Sequence, residues 1–265
     1  MRVSLCHVGI VGPGLTDWAS VQAVLRGDQP YVAATLNTRP PVGLPPNESR
    51  RATLATRLAL DAARQATTDI DCSRLSSVFA SSDGDMGLID NLCRDLFQHR
   101  FPPSPTVFQN SVHNAVAGYW SIAEGCRQPS TSLAAGDGSF AAGLLEAATQ
   151  SVCFGNPVLL VACDVPAPEL LHPHRPFGCA FACALLLEPS ASGMERVTLD
   201  LTPCETDDGH PLTTMRDPDW EALRLSNPAA RALPLLAAVA AGQDAGIRLP
   251  YWSDLRLDVR LSQTT

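Results

Sequence analysis

Two hydrophobic periods alternate along this chain, one that suits strands and one that suits helices. Residues 3–12 (VSLCHVGIVG) read as a buried first strand, which Pro13-Gly14-Leu15 ends before a helix opening at Thr16, Asp17 and Trp18. Arg50 to Ala66 shows helical spacing, with Ser49 placed to cap it and Leu54, Leu58, Ala62 and Ala63 on the inward face. Ser76 to Ser82 reads as a core strand that a Gly/Asp-rich turn leads into a helix from Leu88 to Phe97. Asn156 to Asp164 is a continuous apolar run, as expected of a strand covered on both faces. Phe177 to Pro189 is another strand, with Cys179, Phe181, Cys183 and Leu185 on one face. Farther on, Arg196 to Leu201 reads as a strand, Glu205 to Pro218 as a polar loop and Pro228 to Gly242 as an alanine-rich helix. Leu255 to Leu261 alternates leucine or valine with Arg256, Asp258 and Arg260, the pattern of a half-exposed strand. Proline marks residues 36–49 as a loop, Phe101 to Val107 as an extended arm, and 166–176 as a loop carrying His172 and His174.

The stretch from Ser130 to Gln150 combines both periods with a sharp turn. Ser130 to Ala135 is a short strand, Gly136-Asp137-Gly138 supplies a permissive turn, and a helix starts at Ser139. Phe140, Leu144 and Ala147 share one face of that helix, and Gly143 allows a neighbour to approach closely. Such a strand–turn–helix presents backbone N–H groups at a helix start, a geometry that can hold a nucleophile beside an oxyanion hole. Ser139 is the serine in position, but Asp137 and Ala141 stand where Gly-x-Ser-x-Gly requires glycine, so a helix-capping role is expected for it. His113 is the histidine nearest in sequence that could assist.

Composition narrows the field. A 265-residue chain with 45% hydrophobic and 17% charged residues fits a soluble α/β protein with one sizeable core. No apolar run is long enough to span a membrane, and nine cysteines without metal spacing point to a reducing compartment, hence the cytoplasm. All 19 basic residues are arginine, which rules out a lysine Schiff base and a phosphate-binding loop lysine. A net charge of −8 argues against nucleic-acid binding. The glycines of GIVGPG have the wrong spacing for a dinucleotide site. Asp83, Asp85 and Asp90 read as a solvated turn with a capping carboxylate, and Cys163 as a core residue. Cys179 and Cys183 lie roughly 13 Å apart on a strand, too far to share zinc. Neither a metal nor a cofactor is expected.

Residues 114–122 (NAVAGYWSI) followed by 132–147 (SLAAGDGSFAAGLLEA) resemble the N-terminal half of a β-ketoacyl synthase of the thiolase-like superfamily. The resemblance implies a layered α/β/α fold whose second thiolase-like half is missing or vestigial. It covers roughly the first 190 residues, a ketosynthase N-terminal-like domain (1–190). A C-terminal extension of strand, loop, helix and strand (191–265) would pack on it. In that family the turn carries a nucleophilic cysteine; aligning the glycines on Gly138 and Gly143 puts Ala135 there, and a methyl group cannot attack a thioester. The two histidines and the lysine that condensing ketosynthases draw from their second half also lack counterparts, since lysine is absent and only His210 lies beyond residue 190.

What the resemblance implies is a non-catalytic, chain-length-factor-like subunit of a type II polyketide or fatty-acid-like synthase, similar to the short members that accompany aryl-polyene or xanthomonadin-type pigment synthesis. Its ketosynthase partner would form a heterodimer with it and supply the catalytic residues and most of the contact with the acyl carrier protein. Family dimers form through the strand before the nucleophile and the segment upstream of it, here Ser130 to Ala135 and Phe108 to Ile122. Phe108, Val112, His113, Asn114, Tyr119, Trp120, Ser132 and Leu133 are then expected to line the partner surface or its acyl tunnel. The aromatic density of Phe108, Tyr119 and Trp120, in a chain with 6% aromatics, suits a buried interface, although Tyr119 and Trp120 also fit an ordinary core helix. Two other readings remain open: an acyl-thioester hydrolase or transferase using Ser139 and His113, and a homodimeric scaffold.

Overall fold

The structure, a computed structural model, describes residues 1–36, 38–98, 102–190, 197–205 and 209–263. Its strands are β1 (Arg2–Val11), β2 (Ser76–Ala80), β3 (Ser130–Leu133), β4 (Val158–Asp164), β5 (Phe181–Pro189), β6 (Val197–Glu205), β7 (Ala245–Trp252) and β8 (Leu255–Gln263). Among the described residues they form one sheet in the order β3-β2-β4-β5-β1-β6-β8-β7. β2 runs parallel to β3 and β4, and every pairing from β4 through β5, β1, β6 and β8 to β7 is antiparallel.

The continuous apolar runs follow from helices on both faces of this sheet. In β4, Val158, Leu160 and Ala162 enter one core with Phe140, Leu144 and Ala147 of α7 (Ser139–Phe154). Leu159, Val161 and Cys163 of the same strand enter a second core with Leu58, Ala62 and Ala63 of α3 (Leu54–Ala66) and Trp120 of α6 (Ala115–Glu124). β5 divides in the same way, with Phe181, Cys183 and Leu185 on the α7 side and Ala182, Ala184 and Leu186 on the α3 side. The result is the α/β/α layering the resemblance implied. Each large aliphatic side chain fully buried in these cores contributes about 1.5–3 kcal/mol.

Local chemistry sets the element ends. Asp17 caps α1 (Trp18–Leu25) by accepting from the Ser20 N–H, and Asp85 caps α4 (Met86–Phe97) by accepting from Leu88. The helix expected over residues 50–66 is broken in two, α2 (Pro46–Arg51) and α3. Thr53, not Ser49, caps α3: its backbone is extended and its hydroxyl accepts from the Thr56 N–H, which leaves Leu54 at an exposed helix start. The arm expected over residues 101–107 instead contains α5 (Pro105–Asn110), because Ser104 caps the Val107 N–H and proline suits the first helical position. Phe101 and Arg196, the expected starts of that arm and of the strand now seen as β6, lie outside the described residues.

The C-terminal region is richer than its sequence pattern suggested. β6, β8 and β7 continue the sheet beyond β1, and α8 (Pro218–Ser226) lies inside the stretch after the expected loop. The alanine-rich segment divides into a 3-10 turn at Ala229–Ala232 and α9 (Leu233–Ala241), which Gly242 ends at φ 61°.

Candidate functional site

The strand–turn–helix is present, with the shape of a nucleophile turn. β3 runs into a 3-10 turn at Gly136–Gly138, and α7 follows at Ser139. Two glycines are required by close packing. A Cβ on Gly138 would sit 1.8 Å from the Tyr251 carbonyl oxygen of β7, and one on Gly143 would sit 2.8 Å from both Ala80 Cβ and Leu160 Cδ1. Ala135 lies two residues past β3, half-buried, directly before the turn.

Ser139 is not poised as a nucleophile. It is 1% exposed, its hydroxyl donates to the Gly136 carbonyl at 2.7 Å, and the same oxygen accepts from the Ala135 N–H at 2.9 Å. Its proton and a lone pair are thus committed to closing the turn. The Ala135 N–H, which an oxyanion hole of this geometry would use, is occupied as well. His113 lies elsewhere: its Nε2 is 3.1 Å from the Ser81 carbonyl, so it ties the α5–α6 connection to the end of β2. Ser139 and His113 do not form a dyad, and the hydrolase expectation is corrected on that ground.

Tyr119 and Trp120 also need correction. Trp120 is 0% exposed and Tyr119 5% within the single chain, both packed in the α3-side core. The Tyr119 hydroxyl donates to Asn110 Oδ1 at 3.1 Å. They are core residues of α6, because that helix turns them toward α3 and the sheet, and they cannot contribute a partner surface. Other members of the same segment are outside. Phe108 is 62% exposed, Val112 is exposed, and Asn114 and His113 are exposed at the start of α6. Val112 and His113 also edge a pocket with Phe79, Ser81, Asn110 and Cys163. Ser132 and Leu133 are half-buried on β3, whose ladder is made with β2 alone among the described residues.

A buried carboxyl joins the acidic turn of Asp83 and Asp85, and no sequence pattern marks it. Asp164, at the end of β4, is 2% exposed. Its Oδ1 accepts from the Ser82 N–H at 2.8 Å and lies 2.8 Å from Ser82 Oγ and 3.0 Å from Ser81 Oγ, whereas Oδ2 is buried without a partner among the described residues. Burial pushes the Asp164 carboxyl up to about 7, against the Ser82 and Ser81 hydrogen bonds that favour the anion, and the Asp83 charge adds to the rise. Asp83 pairs with Arg175, Asp85 caps α4 and Asp90 pairs with Arg94, so the three carboxylates of that turn each have a separate task. Burial raises the thiol pKa values of Cys163, Cys179 and Cys183, consistent with core packing and not with reactivity. Among the described residues no three His, Cys, Asp or Glu side chains are grouped to hold a metal.

The layered sheet with a nucleophile-type turn at the end of β3 defines a thiolase-like fold. The chain matches the family of the β-ketoacyl synthase N-terminal domain over residues 17–244, and it belongs to that family. The match passes well beyond residue 190, where the resemblance fades on reading the sequence. No curated protein matches the chain in sequence.

Solved structures share the fold. One is a chain of the complex between the ketosynthase ApeO and its chain length factor ApeC from Xenorhabdus doucetiae, with TM-score 0.75 at 22% identity over 98% of this chain and 99% of that one. Another is a chain of the ishigamide ketosynthase/chain length factor, with TM-score 0.76 at 14% identity and full coverage, 100% of each chain. A ketosynthase from module 1 of the bacillaene synthase of Bacillus amyloliquefaciens matches with TM-score 0.55 at 15% identity, over 85% of this chain and 50% of that chain.

Proposed function

We propose that this chain is a non-catalytic, chain-length-factor-like subunit that pairs with an active β-ketoacyl synthase in type II polyketide or fatty-acid-like biosynthesis of the aryl-polyene type. The observation that carries the reading is Ala135, a methyl group at the nucleophile position of an otherwise intact strand–turn–helix. Loss of the thiol with retention of the surrounding shape is what selection for partnership, without selection for condensation, leaves behind. The likeness to chains from ketosynthase/chain length factor complexes supports the same reading.

The surface supports it too. α4 has no buried residue although its sequence, MGLIDNLCRDLF, is rich in apolar side chains, and Phe97 at its end is 86% exposed. With Phe108 and Val112 nearby in sequence and an edge of β3 that no strand among the described residues pairs with, this leaves apolar area and strand backbone for a partner to cover. In this reading β3 meets its equivalent across the interface. Phe108, Val112, His113 and Asn114 face the partner's acyl tunnel, Ser132 and Leu133 sit at the joined strand edges, and the acyl carrier protein docks mainly on the partner.

Co-expression with a ketosynthase encoded beside it, followed by size exclusion, tests the proposal. A stable complex with one copy of each chain is expected. A monomer that stays apart from the ketosynthase, or a homodimer that excludes it, overturns the reading and leaves the scaffold alternative.

A further inference from the structure

Charged side chains meet at the mouth of the Gly136–Gly138 turn. Arg175, from the connection between β4 and β5, directs Nε to Asp83 Oδ2 at 2.7 Å and Nη1 to Asp137 Oδ1 at 3.3 Å, with its guanidinium 4.7 Å above the Phe177 ring. Arg231, on the 3-10 turn before α9, approaches Asp137 Oδ2 through Nη2 at 3.6 Å. Charge-assisted N–H···O bonds run about 2.7–2.9 Å, so Asp83 is a fitted partner and Asp137 is a loose one. Asp137 is also the outer member of the group: its side chain is 54% exposed, against 28% for Arg175 and 15% for Arg231.

Beneath that loose contact, donors are left over. Arg175 Nη2 and Arg231 Nε are buried, and neither has an acceptor among the described residues. Unmet donors on a buried cation are costly, and an acceptor supplied from outside removes that cost. Local charge points the same way. Arg224, itself 4% exposed, lies close enough to Arg231 that burial and the Arg224 charge together lower the Arg231 pKa. Arg224 is itself paired with Glu221, so three guanidinium groups here meet three carboxylates, Asp83, Asp137 and Glu221, and displacing the exposed Asp137 carboxylate leaves one positive charge in excess.

We propose that Arg175 and Arg231 form a binding site for a small oxyanion, the carboxylate or phosphate monoester of a ligand, and that Asp137 is the chain's own, loosely held occupant. Two guanidinium groups with spare N–H donors suit a group that offers two or three oxygens at once. An incoming anion displaces the exposed Asp137 carboxylate, and the two guanidinium groups turn their unmet donors toward it. The site stands on this chain's own residues and does not depend on pairing with a ketosynthase.

Thermal unfolding of the full chain, at constant ionic strength with chloride as reference, tests it with malonate and inorganic phosphate as probes. Both anions should raise the midpoint in a saturable way, and the tighter of the two identifies the head group. Asp137→Asn removes the competing carboxylate and should bind the better probe about tenfold more tightly, regaining with the anion the stability it loses without it. Arg231→Gln should abolish the response, and Arg175→Lys, which keeps the charge and loses the planar fork, should weaken it. The proposal fails if wild type and Asp137→Asn respond to neither anion beyond chloride. It fails equally if Arg231→Gln or Arg175→Lys responds as the wild type does, since the anion then binds adventitiously elsewhere.

Discussion

Removing the ionisable carboxyl at residue 164 should flatten the pH dependence of stability. Asp164 carries a folded-state pKa of about 7, above the ordinary 3.8. A carboxyl whose pKa is raised by folding holds its proton more tightly in the native state. Stability is therefore greatest at low pH and falls as pH rises through the folded pKa. Between pH 5 and pH 8 the unfolded group is ionised throughout, while the native group passes from protonated to ionised. The loss across that window is about 3 kcal/mol, a factor of roughly one hundred in the folding equilibrium. Asp17, Asp71, Asp200 and Glu221 have pKa values shifted downward by hydrogen bonds from neighbouring groups, so they are ionised in both states above pH 5 and do not contribute to the slope. Asp164→Asn keeps a carbonyl oxygen for Ser81 and Ser82 and cannot ionise. Urea unfolding of both proteins at several pH values between 5 and 8 provides the measurement. The wild type should lose stability with rising pH and the variant should be nearly flat. Parallel slopes, or a wild type that gains stability toward pH 8, refute the assignment of a neutral buried carboxyl.

Other outcomes follow from the packing and the turn. Gly143→Ala sets a methyl against Ala80 Cβ and Leu160 Cδ1 at 2.8 Å, and the overpacking outweighs the better helix propensity; a net loss of about 1–2 kcal/mol is expected in urea unfolding, and a more stable variant contradicts the close approach. Ala135→Cys should give neither an acyl adduct nor an elongated product when incubated with acyl and malonyl carrier thioesters, because the backbone N–H of that residue is held by Ser139 and the chain has no lysine to assist. Acylation at residue 135 with chain growth, seen by mass spectrometry, would remove that argument. Val112→Phe should shorten the products of the co-expressed ketosynthase while the complex persists, with Val112→Ala or Phe108→Ala lengthening or broadening them. Unchanged product lengths with an intact complex would leave these residues a packing role only.

Legibility in the sequence followed the degree to which one physical demand decided each segment. β4 and β5 are buried on both faces, so every position was under the same apolar demand and the runs stood out. Gly143 could be assigned a close approach because a glycine inside a helix needs a reason, and Ala80 and Leu160 supply it. Where two demands competed, pattern alone misled. Thr53 lies within a run of helical spacing, yet its hydroxyl serves as a cap and breaks the run. The prolines of residues 101–107 suit an extended arm, whereas Pro105 at a first helical position opens α5. Local aromatic density points Trp120 toward an interface, but composition does not say toward which side a helix turns its large residues, and the structure places Trp120 in the core.

The site shows the same division between what is encoded locally and what folding assembles. Ala135, the turn glycines and Ser139 are contiguous, so the strand–turn–helix could be read from their order alone. Arg175, Arg231, Asp83 and Asp137 come from four segments brought together by the sheet and its connections, and although Asp83 and Asp137 stand in turns legible in the sequence, nothing there pairs them with Arg175 or Arg231. Asp164 is one charged letter at the end of an apolar strand, and only the fold reveals that Ser81 and Ser82 serve one of its oxygens and that the other has no partner among the described residues. Asp164 and the inner donors of Arg175 and Arg231 are costly to bury, and packing alone would favour apolar groups of similar volume in their place. The place of Arg175 and Arg231 beside the Gly136–Gly138 turn fits the proposed anion site, where the arginine pair has the donors to act.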